Sequence, residues 1–343
     1  MKKKIIVTGG TGYIGSHTAV ELIEAGYEVI LIDNLHNSEA DVAEQIGTIT
    51  GKKPQLEIFD LCDNQKPDAF FKNNEGIAGI IHFAAYKAVG ESVKKPLEYY
   101  RNNLVSLLNI LELMKQHMIP CMVFSSSCTV YGQPSILPVK EDTPVQPAAS
   151  PYGNTKKIGE EIIRDTVLAE NNIKAISLRY FNPIGAHPSG LIGELPRGIP
   201  ENLVPFITQT AIGLRDELRV FGNDYDTPDG TCIRDYLHVV DLAKAHVIAL
   251  ERLIEKKNLK DYEVFNLGTG KGVSVLEAIK SFESVSGIKL KYRITGKRAG
   301  DIEKIWADPS LANSELGWET LSTLNEAMLT AWQWEKNIRK QNL

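Results

Sequence analysis

Apolar positions along the chain fall into two rhythms. Short apolar-rich runs, Lys4-Ile5-Ile6-Val7, Glu28-Val29-Ile30-Leu31-Ile32, Gln55-Leu56-Glu57-Ile58-Phe59, Gly79-Ile80-Ile81-His82-Phe83-Ala84-Ala85, Cys121-Met122-Val123-Phe124 and Ala175 to Tyr180, read as strands. Between them apolar residues recur at helical spacing: Ile14, Ala19, Leu22 and Ile23, then a segment around Glu39 to Ile49, an amphipathic stretch after Leu61, and long helices over Pro96 to His117 and from Pro151. This alternation predicts an α/β fold with a doubly wound parallel sheet, whose ligands collect beyond the carboxyl ends of the strands.

After Phe181 the pattern changes. Residues 183 to 205 hold five prolines and four glycines, which marks a long ordered loop or a domain crossing. The expected domains are 1–181 and a smaller α/β domain at 182–343, with a return to the first around 235–262. Later elements are a helix at Val239 to Ile254, a strand at Glu263 to Leu267, a helix around Ser274 to Ser286 and a terminal helix from Thr323. Gly268-Thr269-Gly270-Lys271-Gly272 lacks the spacing of a phosphate loop and reads as a strand-to-helix turn.

One helix is too apolar for a single buried side. Leu97, Tyr100, Leu104, Leu107, Leu108, Leu111 and Met114 line one stripe over Pro96 to His117, with Val105, Ile110 and Leu113 outside it. Together with Ile158, Ile162, Ile163, Val167 and Leu168 on the next helix, this predicts a homodimer joined through a four-helix bundle.

The first strand runs into Thr8-Gly9-Gly10-Thr11-Gly12-Tyr13-Ile14-Gly15, and the second ends on Asp33. Gly9 permits a tight turn, Gly12 admits a pyrophosphate to the backbone, and Gly15 lets the helix pack close to its strand. Asp33 then faces ribose hydroxyls, so the unit is a Rossmann-type dinucleotide site. No arginine stands among Asn34, Leu35 and His36 to receive a 2′-phosphate, so NAD is expected rather than NADP.

Charge and cysteine content narrow the partners. The chain has 343 residues and a net charge of −5, giving no basic face for nucleic acid. The apolar run after Lys2-Lys3-Lys4 is too short for a signal peptide, and no run approaches a membrane span, so a soluble cytoplasmic protein is expected. Cys62, Cys121, Cys128 and Cys232 show no metal spacing, and no metal site is expected.

Ser150-Pro151 starts a helix with a capping residue and a proline at its first position. Tyr152 and Lys156 follow one turn apart on one face. A tyrosine acting as a base near pH 7 needs its pKa moved down by about three units from 10, or roughly 4 kcal/mol. The lysine charge, the helix N-terminus and a nicotinamide ring all act in that direction. Ser127, ending the neighbouring strand, could relay the proton of a substrate hydroxyl. Tyr-x-x-x-Lys alone is ordinary helix surface; behind a dinucleotide unit and with Ser127 it is a site.

With these motifs the chain resembles the extended short-chain dehydrogenases/reductases, and within them the 4-epimerases of UDP-hexoses. The resemblance runs over nearly the whole chain, through the glycine loop, Lys87-Ala88-Val89-Gly90-Glu91-Ser92, Ser125-Ser126-Ser127, Ser150-Pro151-Tyr152-Gly153, Arg179-Tyr180-Phe181-Asn182-Pro183, Phe221-Gly222-Asn223-Asp224-Tyr225 and Arg234-Asp235-Tyr236. It implies an isomerase with tightly held NAD that exchanges UDP-glucose and UDP-galactose through a 4-keto sugar, in galactose metabolism and supply of UDP-galactose. By matching position Tyr13, Ile14, Asp33, Asn34, Asp60, Leu61, Phe83, Ala84, Lys87, Asn102 and Phe181 would hold NAD with the three glycines, Ser127, Tyr152 and Lys156. Lys87, Ser127, Tyr152, Asn182, Asn202, Leu203, Arg219, Phe221, Arg234, Arg298, Asp301 and Ile305 would line the substrate site. Arginine suits diphosphate because its guanidinium is a planar fork of donors.

Two rivals share these features. Related dehydratases carry Thr-Asp-Glu where this chain has Ser127-Cys128-Thr129, so the acid and base for eliminating water are missing. A silent NAD-binding regulator is the other, and the intact Ser127, Tyr152 and Lys156 speak against it. At Ile305 the resemblance implies a position beside the sugar's C2 substituent. Tyrosine there accompanies restriction to UDP-glucose and UDP-galactose, and a small residue accompanies acceptance of N-acetylated sugars; isoleucine implies weak activity on the latter.

Overall fold

The computed structural model describes residues 2–63, 65–298 and 301–340. The chain divides into two units, the first formed by residues 1–132, 145–179 and 243–265, the second by 133–144, 180–242 and 266–343. The boundary expected at 181/182 lies beside the crossing from Arg179 to Tyr180.

The first unit is built on β1 (Lys4–Thr8), α1 (Tyr13–Glu24), β2 (Glu28–Asp33), α2 (Val42–Thr50), β3 (Gln55–Ile58), α3 (Gln65–Asn73), β4 (Ile77–His82), α4 (Val89–Lys94), α5 (Pro96–Gln116), β5 (Cys121–Ser125), α6 (Pro151–Ala169) and β6 (Lys174–Tyr180). The strands stand in the order β3-β2-β1-β4-β5-β6, all parallel, as in a dinucleotide-binding sheet. Ile6 lies between Ile30 and Ile80, and all three are at most 1% exposed. Helices on both faces explain why these strands read as continuous apolar runs.

The remaining elements are β7 (Asn182–Ile184), α7 (Leu203–Ala211), β8 (Leu218–Phe221), β9 (Ile233–Arg234), β10 (Tyr236–His238), α8 (Val239–Ile254), β11 (Tyr262–Leu267), β12 (Val273–Ser274), α9 (Val275–Ser286), β13 (Tyr292–Thr295) and α10 (Leu324–Lys340). Strand β11 extends the large sheet beyond β6. The second unit has its own core, in which Val204 and Ile207 of α7 pack with Val220, Phe282, Met328 and Trp332. Among its described residues β7 pairs with β10, β9 with β12 and β8 with β13 in separate small sheets. Between Ile184 and Leu203 the proline- and glycine-rich segment forms no regular element. It is ordered by tertiary bonds, among them Trp334 Nε1 donating to the carbonyl of Glu194 at 2.9 Å.

The orientation of α5 differs from the stripe read in the sequence. Its buried side is Tyr99, Asn103, Ser106, Leu107, Ile110, Leu111, Leu113 and Met114, so Ile110 and Leu113, placed outside the stripe, are core residues. Leu97 and Leu108 are exposed, at 77% and 43%. The polar Asn103 and Ser106 can be buried because they are bonded, Ser106 Oγ locally to the carbonyl of Asn102 and Asn103 to the backbone of Tyr86 and to Thr155 Oγ1.

Candidate active site

The glycine loop ends β1 and opens α1 at Gly12, with no side-chain cap. Gly9 has φ +66°, and a Cβ there would lie 2.9 Å from the backbone nitrogen of Ala84. A Cβ on Gly15 would lie 2.2 Å from the carbonyl oxygen of Gly9. The loop is thus folded so tightly that only glycine fits, which keeps an uncapped helix N-terminus open to an anionic group. Asp33 is oriented at the end of β2: its carboxylate accepts from the N–H of Thr11 at 3.2 Å, the N–H of Leu35 at 2.9 Å and Ser38 Oγ at 3.1 Å. Asn34 donates to Asp60 at 3.2 Å. Leu61 is buried, and its carbonyl accepts from Asn109. Ala84 donates its N–H to Thr8 Oγ1, Phe83 packs on His246 with ring centroids 4.6 Å apart, and Lys87 Nζ lies 5.7 Å from the Tyr13 ring. Asn102 donates to Asn103 Oδ1 at 3.0 Å. A dinucleotide fits this donor set and this cradle.

Ser150 caps α6 by accepting from the N–H of Gly153 at 3.2 Å, and Pro151 fills the first position, so Tyr152 sits in the first turn of the helix. Tyr152 and Lys156 are 8% and 4% exposed. Lys156 Nζ donates to the carbonyl of Ser125 at 2.6 Å and stands 4.9 Å from the Phe124 ring. Burial pulls the ammonium down to about 7, against a smaller upward effect of Glu160. Ser127, 6% exposed, begins a 3-10 turn over Cys128–Tyr131 and accepts from the N–H of Thr129 at 3.2 Å. Ser127, Tyr152 and Lys156 therefore all belong to the first unit, on β5's carboxyl end and the opening turns of α6. His82 is a core residue, bonded to Thr8 Oγ1 at 2.8 Å and held neutral, down at about 3, by burial and by the Lys156 charge.

In the second unit Arg234 and Arg298 converge on one oxygen of Asp301, at 3.1 and 3.0 Å. The Arg298 guanidinium also lies 5.7 Å from the Phe221 ring. Two guanidinium groups sharing one carboxylate leave a positive charge in surplus. Arg219 projects from β8 two residues before Phe221 and is exposed. Asn202 precedes α7, which starts at Leu203, and donates to Glu194 at 2.7 Å. Phe181 is buried, with its N–H on the carbonyl of Leu267, and Asn182 donates its N–H to the carbonyl of Asp235. Ile305 is 2% exposed, and its N–H donates to the carbonyl of Ile233 at 3.2 Å. Ala299 and Gly300, between Arg298 and Asp301, lie outside the described residues.

Sequence reasoning did not single out two features. Asp235 is fully buried and takes four bonds, from the N–H and Oγ1 of Thr269 at 2.8 and 2.7 Å and from the N–H groups of Gly270 at 3.2 Å and Ala307 at 3.1 Å. The glycine-rich turn at 268–272 thus does cradle an anion, the protein's own carboxylate. The second is Glu160, which lies one turn beyond Lys156 and pairs with Arg179. Its signal was the four-residue spacing that already joins Tyr152 to Lys156.

Comparison with known proteins adds to this geometry. Residues 6–330 match the family model described as GDP-mannose 4,6 dehydratase. The chain is 50% identical to a UDP-glucose 4-epimerase of Bacillus subtilis over 333 residues, 97% of each chain. Its fold is similar to the crystal structure of a Stenotrophomonas maltophila UDP-glucose-4-epimerase with bound NAD and formylated UDP-arabinopyranose, with TM-score 0.95, 44% identity and 99% of each chain covered. It is also similar to a Bifidobacterium longum UDP-glucose 4-epimerase in complex with NAD+ and UDP, with TM-score 0.93, 46% identity and 98% of each chain covered.

Proposed function

This chain belongs to the UDP-glucose 4-epimerase family, and we propose that it interconverts UDP-glucose and UDP-galactose by inversion at C4, with NAD as resident cofactor. The observation that carries this reading is the buried Tyr152–Lys156 pair at the start of α6 with the Ser127 hydroxyl at the end of β5.

Tyr152 takes up the 4-hydroxyl proton, with Ser127 bonding that hydroxyl and relaying the proton, and returns it when the carbonyl is reduced. Lys156 and the α6 N-terminus stabilise the phenolate while the proton is absent. NAD, when bound there, would supply the hydride acceptor for C4 and the donor for its reduction. Gly9, Gly12, Tyr13, Ile14, Gly15, Asp33, Asn34, Asp60, Leu61, Phe83, Ala84, Lys87, Asn102 and Phe181 are the residues we assign to holding it. The Asp33 carboxylate would accept hydrogen bonds from the adenosine ribose hydroxyls and repel a 2′-phosphate, so nucleotide released on denaturation should be NAD; NADP in its place would refute the assignment.

Inversion needs UDP held firmly and the sugar loosely, so that the 4-keto ring can present its other face. Arg234 and Arg298, with their surplus positive charge, are assigned to the diphosphate, and Asn182, Asn202, Leu203, Arg219, Phe221 and Asp301 to the rest of the nucleotide and sugar. Elimination of water is disfavoured because Cys128 and Thr129 stand where an acid and a base would be required. Weak turnover of N-acetylated UDP-hexoses is proposed as a side activity governed by Ile305.

The outward side of α5 supports a homodimer. Leu97 and Leu108, with Leu168 of α6 at 75% exposure, form apolar surface that a second copy would cover. Sedimentation showing only monomer at micromolar concentration would exclude it. Among the described residues no helix is long and apolar enough to cross a membrane. A cytoplasmic location is part of the reading proposed here, in keeping with four free cysteines. The decisive test of function is conversion of UDP-galactose by purified protein without added NAD. Absence of turnover from folded, NAD-loaded protein would overturn the reading.

A further inference from the structure

Tyr152, Lys156 and Glu160 form a row on one face of α6, four residues apart. Glu160 is 7% exposed and its carboxylate is fully engaged. Oε1 accepts from Ser126 Oγ at 2.5 Å and from Arg179 Nε at 2.9 Å, and Oε2 accepts from Arg179 Nη2 at 2.6 Å. Arg179 Nη1 in turn donates to the hydroxyl of Tyr131 at 2.8 Å. Tyr131 closes the 3-10 turn that Ser127 begins.

These bonds account for the whole stretch that presents Ser127. Ser125 is held by Lys156 through its carbonyl, Ser126 by Glu160 through its hydroxyl, and the far end of the turn by Arg179 through Tyr131. A buried ion pair is a poor source of stability, because desolvating both charges offsets their attraction. Its value lies in the single arrangement it allows. We propose that the Glu160–Arg179 pair is a positioning device for the reaction, pinning the serine turn in register with α6 and keeping a carboxylate one helical turn behind the Lys156 ammonium. This rests on the epimerase reading only for the role of Ser127 and Lys156.

The electrostatic half follows from what surrounds these groups. Burial drives Lys156 toward its neutral form, and the Glu160 charge opposes it. Around Lys156 the imidazole of His82 on β4 is neutral, held down at about 3. Around Glu160 stand Arg179 on β6, Tyr131, and Tyr262 on β11, whose phenol is kept protonated by burial and by the Glu160 charge and bonds Ser177 Oγ. Arg164, one turn further along α6, also acts on Tyr262. Among the described residues Glu160 is the acidic group acting on Lys156, so neutralising it weakens the ammonium and, through it, the Tyr152 phenolate.

Two variants separate the halves. Ser126→Ala cuts the pin and leaves the charges; it should lower kcat for UDP-galactose at least tenfold with KM within twofold and an unshifted pH profile. The double variant Glu160→Gln/Arg179→Met removes both charges at similar volume. It should move the acid limb of kcat upward by about one pH unit, a tenfold change at a given pH on the limb. The ultraviolet titration of the Tyr152 phenolate, taken as a difference against Tyr152→Phe, should move with it, and Glu160→Asp should restore both. A double variant that melts cooperatively with limb and titration unmoved overturns the electrostatic half. Wild-type kcat in Ser126→Ala overturns the positional half, and decides alone if the double variant does not fold. Wild-type protein that gives the phenolate titration but no turnover overturns the functional reading instead, and the titration still tests the pair.

Discussion

The Nζ of Lys156 is bonded at 2.6 Å to the carbonyl oxygen of Ser125, a group that can only accept. The backbone of the serine turn therefore fixes where the ammonium stands before any ligand arrives, and the same enclosure makes its charge costly.

That cost has a pH signature. Lys156 titrates near 10.5 in the unfolded chain and at about 7 in the folded protein. Between these values the unfolded chain binds the extra proton, so the contribution to stability is full above 10.5 and is lost as pH falls through 7. Lys156→Met should accordingly raise the melting temperature of ligand-free protein more at pH 6 than at pH 9. Equal shifts at the two pH values would contradict the buried ammonium.

Tyr152→Phe keeps the ring packed in its 8%-exposed site and removes only the hydroxyl. Turnover should fall at least ~10²-fold, as for loss of a positioned proton-transfer group, with UDP affinity retained in calorimetry. Near-normal turnover would remove Tyr152 from the chemistry.

Gly15→Ala places a methyl carbon 2.2 Å from the Gly9 carbonyl oxygen and 3.0 Å from the Gly10 Cα, both backbone atoms that cannot swing away. The loop must open to admit it. We expect purified variant to lose most of its bound dinucleotide, seen as a drop in the 260/280 nm absorbance ratio, and about 1–3 kcal/mol of stability in a denaturant titration.

Ile305 is enclosed and β-branched, so it yields space reluctantly. Ile305→Ala should raise kcat/KM for UDP-GalNAc selectively and Ile305→Tyr should abolish it, over the ~1–3 kcal/mol available to small changes in pocket filling. Assays of UDP-galactose and UDP-GalNAc on the three proteins check this. Equal kcat/KM for both substrates in wild type, or an unchanged ratio in the variants, would show that Ile305 is no gate.

How much of this was legible varies with the range of the interaction. The first unit's strands, the glycine loop and the cap at Ser150 were readable because each depends on neighbours within a few residues. The buried side of α5 is only partly legible, because helical spacing reveals an apolar stripe without saying which of its residues meet the sheet; Leu107, Leu111 and Met114 do. Here Asn103 and Ser106 turn inward and Leu97 and Leu108 turn outward. The return expected around 235–262 overlaps the segment 243–265 of the first unit, whereas the exchange at 133–144 carries no local mark, since membership of a unit is decided by distant partners. The turn at 268–272 is legible as a turn, but its occupant, Asp235, comes from the junction of β9 and β10, more than 30 residues earlier.

The knot of bonds at Asp235 also bears on how the second unit comes together in time. Its donors lie 34, 35 and 72 residues along the chain. None of these bonds can form until loops of that length have closed, and the entropy of closure is spent before the carboxylate has a single partner. A buried carboxylate without donors is strongly unfavourable, so the segment around Asp235 cannot be enclosed early and wait. Enclosure of this carboxylate is therefore coupled to closure of those loops, so that its burial and its bonds must form together.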